Sequence, residues 1–120
     1  MLPIMLTNLV YSQVGLGEIR EAYASVREAL QINIETDSTS WILFSLVGYA
    51  NILAAENKRE QALEVLGLCM NHTETNSDTR RDIQLVLDDL KKVRADDIEM
   101  GLERGKALDL NKIVLTALGG

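Results

Sequence analysis

The sequence is poor in the residues that build disulfide frameworks, metal sites and β-sheets. Its 120 residues include one cysteine, one histidine, one proline and five aromatic residues. Aromatic residues favour strands, whereas the abundant alanine, leucine, glutamate and aspartate favour helices. We therefore expect one all-α domain over residues 1–120, a length that can bury an independent core.

Long apolar runs are also missing. No run of 18 apolar residues occurs, so we expect no membrane-spanning helix. The apolar residues 1–6 lack a basic leader and a cleavage site, and we do not interpret them as a secretion signal. With a single cysteine, this pattern predicts a reducing, cytoplasmic location.

A surplus of positive charge is absent. The formal net charge is −6, and the lysine and arginine residues are scattered along the chain. A nucleic-acid-binding domain concentrates such residues to displace the counterions of phosphates. We therefore expect no direct binding to DNA or RNA.

The sequence offers no catalytic set, metal site or cofactor motif. Cys69 and His72 are the only residues of their kinds, and two ligands do not make a zinc site. We expect Cys69 in the core and His72 at the surface near the end of a helix. The aspartates between residues 82 and 97 lack the spacing of a calcium loop, and we interpret them as a solvated face. We predict that the protein is not an enzyme and binds neither metal nor cofactor.

What the sequence does contain is a register of forty residues. Ten positions recur at this offset, and nine of the ten pairs match in character. The first set is Leu6, Leu9, Val10, Gly17, Glu21, Ala22, Val26, Ala29, Leu30 and Ile32; the second is Leu46, Tyr49, Ala50, Asn57, Gln61, Ala62, Leu66, Cys69, Met70 and His72. A period in this range is typical of helical-hairpin solenoids, since one hairpin cannot bury its apolar face alone.

Apolar spacing predicts about seven helices arranged in three units. We place the first hairpin at residues 3–34, the second at 38–72 and C-terminal capping helices at 77–118. Asp37 or Ser38 is the predicted N-cap of the third helix, and Ser77 that of the fifth. The third helix is apolar nearly all round, which indicates a central position.

These residues resemble the tetratricopeptide repeat. The resemblance rests on large apolar residues two turns apart on the first helix of each unit, and on small residues such as Ala22, Ala50 and Ala62 at the helix contacts. It implies a solenoid of stacked hairpins, here two full hairpins plus a capping unit. In this family, the first helices of the hairpins line a concave groove for ligands.

The tail carries a second resemblance. Residues 103–110, followed by Lys112-Ile113-Val114, are similar to the segment that closes the repeat arrays of bacterial signal-transduction ATPases and LuxR-type regulators. The resemblance implies a sensor or scaffold module of such a regulator.

By repeat geometry, seven residues are predicted to bind a protein or peptide in the groove: Ile4, Thr7, Tyr11, Val14, Phe44, Val47 and Asn51. An apolar groove of this kind suits an amphipathic helix or an apolar peptide. The alternative is that Tyr11 and Phe44 only pack against neighbouring repeats.

A second hypothesis is a self-assembling structural unit without a separate ligand. The first helix has more apolar residues than one neighbouring helix can cover, and we expect it to pair with a second copy in a two-fold homodimer. Ile4, Met5 and Tyr11 are predicted to lie at or near that interface. Docking of the same face onto a preceding repeat is the other possibility.

Overall fold

A computed structural model describes residues 2–119, and within that range it contains seven α-helices and no strand. The helices cover 81% of the described chain, which confirms the all-helical prediction. They are α1 (Pro3–Gly15), α2 (Ile19–Glu35), α3 (Thr39–Ala55), α4 (Arg59–Asn71), α5 (Ser77–Val93), α6 (Ile98–Lys106) and α7 (Leu110–Gly119).

The connections between the first four helices share one geometry. Gly17, Asp37 and Asn57 follow one another at intervals of 20 residues and all have positive φ, of 78°, 52° and 64°. In each connection the N–H of this residue bonds three residues back, and the N–H of the next residue bonds five residues back. This is the Schellman motif, which ends a helix with a left-handed residue. The equivalence of Gly17 and Asn57 in the forty-residue register therefore has a backbone cause.

At α3 the structure has one of the two predicted N-caps, and at α5 the predicted N-cap is wrong. Asp37 is the left-handed residue of a connection, so Ser38 occupies the N-cap position of α3, without a capping hydrogen bond from its side chain. At α5 the cap is Asn76, not Ser77, because the Asn76 side chain accepts a hydrogen bond from the Thr79 N–H at 2.9 Å. Asn76 thus satisfies a main-chain N–H of the first turn of α5, which is the role that the sequence predicted for Ser77.

Helix α3 is central, as its apolar composition predicted. Residues 43–50 are all buried, and α3 contacts α1, α2, α4, α5 and α7. Helices α1 and α5 both pack against α3. The small residues Ala22, Ala50 and Ala62 are fully buried, which permits close approach of neighbouring helices.

The C-terminal unit does not repeat the two hairpins. Helix α6 packs mainly against α4, and α7 contacts α2 and α3. Gly67 of α4 and Gly105 of α6 lie where the two backbones meet, and a Cβ at either position would overlap main-chain atoms of the other helix. Glycine is therefore required at both positions by close packing.

Arg59 fixes the connection between α5 and α6 to the start of α4. Its Nε and Nη2 each donate to a carboxylate oxygen of Asp97 at 2.7 Å, and its Nη1 donates to the Leu90 carbonyl at 2.9 Å. The hydrogen bond from Arg59 holds the pKa of the Asp97 carboxyl well below its ordinary value, with help from Arg94. The C-terminal unit is thus attached through both glycine packing and this bidentate pair.

Candidate functional site

A cleft of about 790 Å³ opens between α1, α3 and α5. Side chains from all three helices line it, mainly Asn8, Tyr11 and Val14 of α1, Asn51 of α3, and Asp82, Leu85, Asp88, Asp89 and Lys92 of α5. A volume of this size is in the range of ligand-binding sites. We call this surface the α1–α3–α5 cleft.

The wall formed by α5 combines one apolar side chain with charged ones. Leu85 is 60% exposed and lies among polar residues on the outer side of this amphipathic helix. Asp82 and Asp89 lie three residues before it and four residues after it, so all three share one stripe of the helix. The wall can therefore hold an apolar group between two carboxylates.

Tyr11 lines the cleft, but its hydroxyl group is not exposed there. The hydroxyl oxygen is buried and has no hydrogen-bond partner within residues 2–119. Burial raises the pKa of Tyr11 above its ordinary value, and the nearby carboxylate of Asp82 raises it further. A buried hydroxyl without a partner destabilises the folded state.

Tyr11→Phe is therefore expected to increase the free energy of unfolding by about 1 kcal/mol, since it removes the unpaired hydroxyl and keeps the ring. Urea denaturation followed by circular dichroism measures the change. Tyr23→Phe is the matched control, because the Tyr23 hydroxyl donates to Glu56; this substitution should lower stability. A loss of stability in Tyr11→Phe comparable to that in the control would contradict the burial argument.

The structure brings three of the seven predicted binding residues, Tyr11, Val14 and Asn51, together in the cleft. Thr7 and Val47 are 0% exposed, and Phe44 is buried with its ring edge-on to Trp41 at 5.5 Å. The prediction that these three residues line a ligand groove is corrected, because their side chains are buried.

Thr7 instead belongs to a buried polar network. Its hydroxyl lies 3.1 Å from the Ser45 hydroxyl, which accepts a hydrogen bond from the Asn33 amide at 3.0 Å. The Asn33 amide also donates to the Trp41 carbonyl at 3.0 Å. The network joins α1, α2 and α3 below the protein surface.

Ile4 lies away from the cleft, at the beginning of α1. Together with Leu2, Ile32 and Trp41 it lines a separate depression of about 440 Å³. Leu2 directly precedes α1, Met5 and Leu9 follow it at steps of three and four residues, and all three are exposed, as is Ile4. We call Leu2, Ile4, Met5 and Leu9 the α1 apolar edge. Tyr11 lies outside this edge and lines the α1–α3–α5 cleft instead, so its place at a dimer interface stays a prediction.

Cys69 is buried in the core, as predicted, and burial raises the pKa of its thiol to about 12. His72 follows α4, and its Nδ1 accepts a hydrogen bond from the Glu74 N–H at 3.1 Å. Among residues 2–119, no group of three or more histidine, cysteine, aspartate or glutamate side chains is arranged to hold a metal ion. Nor does the described chain contain a helix with the length and apolar character needed to cross a membrane.

Comparison with known proteins gives no match to a family model, to a curated protein or to a solved structure. The fold therefore defines the chain as an all-helical protein with a three-helix cleft, and its resemblance to tetratricopeptide repeats stays a prediction from the sequence.

Proposed function

We propose that the chain is a non-catalytic protein-interaction module that binds a helical or apolar peptide segment of another protein in the α1–α3–α5 cleft. The observation that carries the proposal is the cleft itself, which is lined by the exposed Leu85 of α5 and by Tyr11 and Val14 of α1. An apolar strip flanked by polar side chains is suited to an amphipathic helix laid in a groove.

The arrangement of the hairpins supports the interpretation of this module as tetratricopeptide-like. The connections within the two hairpins share one geometry, and α1 and α5 both contact α3. In a hairpin solenoid, the first helices of the hairpins form the binding face. The position of α6 on α4 departs from a third regular hairpin. The resemblance of the C-terminal residues to the closing segment of bacterial repeat arrays suggests that the module is a sensor or scaffold of a cytoplasmic signalling or transcription regulator.

A random peptide library selected on the purified chain tests the proposal. We expect enriched peptides to lose about tenfold or more in affinity for Leu85→Ser, because the substitution removes the apolar contact in the cleft. Leu115→Ser is the matched control, since Leu115 is 67% exposed but lies on α7. Failure to enrich any peptide, or equal loss of affinity in both variants, would contradict the proposal.

The α1 apolar edge favours the second candidate function, self-association. Its four side chains are exposed and lie within residues 2–9, about two helical turns at the start of α1, and an exposed apolar patch commonly marks an interaction surface. Under this proposal two copies pair through the edge in a two-fold homodimer, without a separate ligand.

Sedimentation of the purified chain tests self-association. The wild type is expected to sediment as a dimer at micromolar concentrations, and Met5→Glu as a monomer, because a buried unpaired carboxylate disfavours the interface. Met100→Glu is the matched control, since Met100 is also exposed but lies on α6; this variant should stay dimeric. A wild type that sediments as a monomer would refute the homodimer.

A further inference from the structure

The α1–α3–α5 cleft has an excess of negative charge along its α5 wall. Three carboxylates, those of Asp82, Asp88 and Asp89, face a single cation, Lys92. The Lys92 ammonium lies 3.5 Å from the Asp89 carboxylate, and both side chains are largely exposed, so this ion pair is weak. The wall therefore keeps a negative potential.

Asp82 is the most enclosed of the three carboxylates. It is half-buried beside Tyr11, whereas Asp88 and Asp89 are exposed. Within residues 2–119 its carboxylate forms no hydrogen bond or ion pair, while Asp88 accepts a hydrogen bond from the Gln84 amide at 2.8 Å. A partly enclosed carboxylate interacts more strongly with a cation than an exposed one.

The spacing on α5 defines the pattern that a ligand must match. Leu85 lies between Asp82 and Asp89 on one stripe of the helix, one turn from each. Tyr11 and Val14 of α1 line the same cleft and add apolar side chains to it. A complementary ligand has an apolar side chain with a positive charge about one turn away on either side.

We propose that the occupant of the cleft is a cationic amphipathic helix of a partner protein, which places a leucine-like side chain on Leu85 and a lysine or arginine against Asp82. This inference rests on the proposed function and adds the charge of the partner. Electrostatic complementarity of this kind selects among helical segments that offer the same apolar face.

Three synthetic helical peptides with identical leucine positions test the charge. Their flanking positions carry lysine in the first, glutamine in the second and glutamate in the third, and fluorescence anisotropy measures their affinity for the chain. We expect the lysine peptide to bind about tenfold more tightly than the glutamine peptide, the glutamate peptide to bind least, and the difference to shrink as salt is added.

Asp82→Asn is expected to lower the affinity for the lysine peptide about tenfold and to leave the affinity for the glutamine peptide unchanged. Glu28→Gln is the matched control, because it removes one negative charge from an exposed position on α2. If Asp82→Asn does not fold, Asp88→Asn serves as a second variant of the α5 wall. Asp88 is exposed, so this substitution should retain the fold. Circular dichroism of each variant verifies the fold.

The outcomes separate this inference from the proposed function. If the glutamine or glutamate peptide binds as tightly as the lysine peptide, and Leu85→Ser still abolishes binding, the charge of the partner is wrong and the cleft as a binding site stands. If no peptide binds in a way that depends on Leu85, both are overturned.

Discussion

Gly67→Ala is expected to lower the free energy of unfolding by about 3 kcal/mol, at the upper end of the range for overpacked positions. The added Cβ would overlap the main chain of Leu102, which cannot rotate away as a side chain can. Helix α6 must then move off α4, which also disturbs the contact between Gly105 and Glu64. Urea denaturation measures the loss.

The sign of this effect is diagnostic, because alanine stabilises an unconstrained helix by about 0.5–1 kcal/mol relative to glycine. Gly15→Ala is the matched control: Gly15 is the last residue of α1, and its added Cβ would meet no other atom within 4 Å. This control should be neutral or stabilising. A Gly67→Ala variant as stable as the control would mean that α4 and α6 are not in backbone contact.

Asn33→Ala is expected to lower the free energy of unfolding by about 2–3 kcal/mol, since it removes one buried and one partly buried hydrogen bond and leaves a cavity. Asn33 is 2% exposed, and its amide serves both Ser45 and the Trp41 carbonyl. The loss falls on the junction of α1, α2 and α3, so unfolding should stay cooperative.

Gln31→Ala is the control for this prediction, because Gln31 is exposed on the same helix. Such surface substitutions change stability by about 0.5 kcal/mol or less. If Asn33→Ala loses no more stability than Gln31→Ala in thermal and urea denaturation, the buried network does not join the three helices.

The helices themselves were largely readable from the sequence. Pro3 marks the first turn of α1, and the apolar spacing separates seven segments that correspond to the seven helices. The forty-residue register reflects a connection that recurs every 20 residues. The shorter interval escaped sequence reasoning because Asp37 is also a common N-cap residue, and only the backbone shows its left-handed conformation.

The packing of α6 was not predicted. The signal for it was present in Gly101 and Gly105, which lie four residues apart and therefore on one face of a helix. Small residues at this spacing allow a close approach of two backbones. The sequence alone does not say which helix approaches, and α4 has only one matching glycine, Gly67, on its own contact face.

The candidate site was predicted in part. Tyr11, Val14 and Asn51 lie in the cleft as expected, whereas Thr7 and Val47 are buried. Helical periodicity cannot show which face of α3 is buried and which lines the cleft, because that helix is apolar nearly all round. The α5 wall was not predicted, because its aspartates were interpreted as a solvated face. The one sequence feature that could have indicated the wall is Leu85, an apolar residue among these aspartates.

The most direct test of the account is a map of the amide chemical shifts of the nitrogen-labelled chain with a library-selected peptide bound. The account predicts that the largest changes fall on Asn8, Val14, Asn51 and Leu85, which line the α1–α3–α5 cleft. Changes confined to the α1 apolar edge, or to the surface where α7 meets α2 and α3, would contradict it.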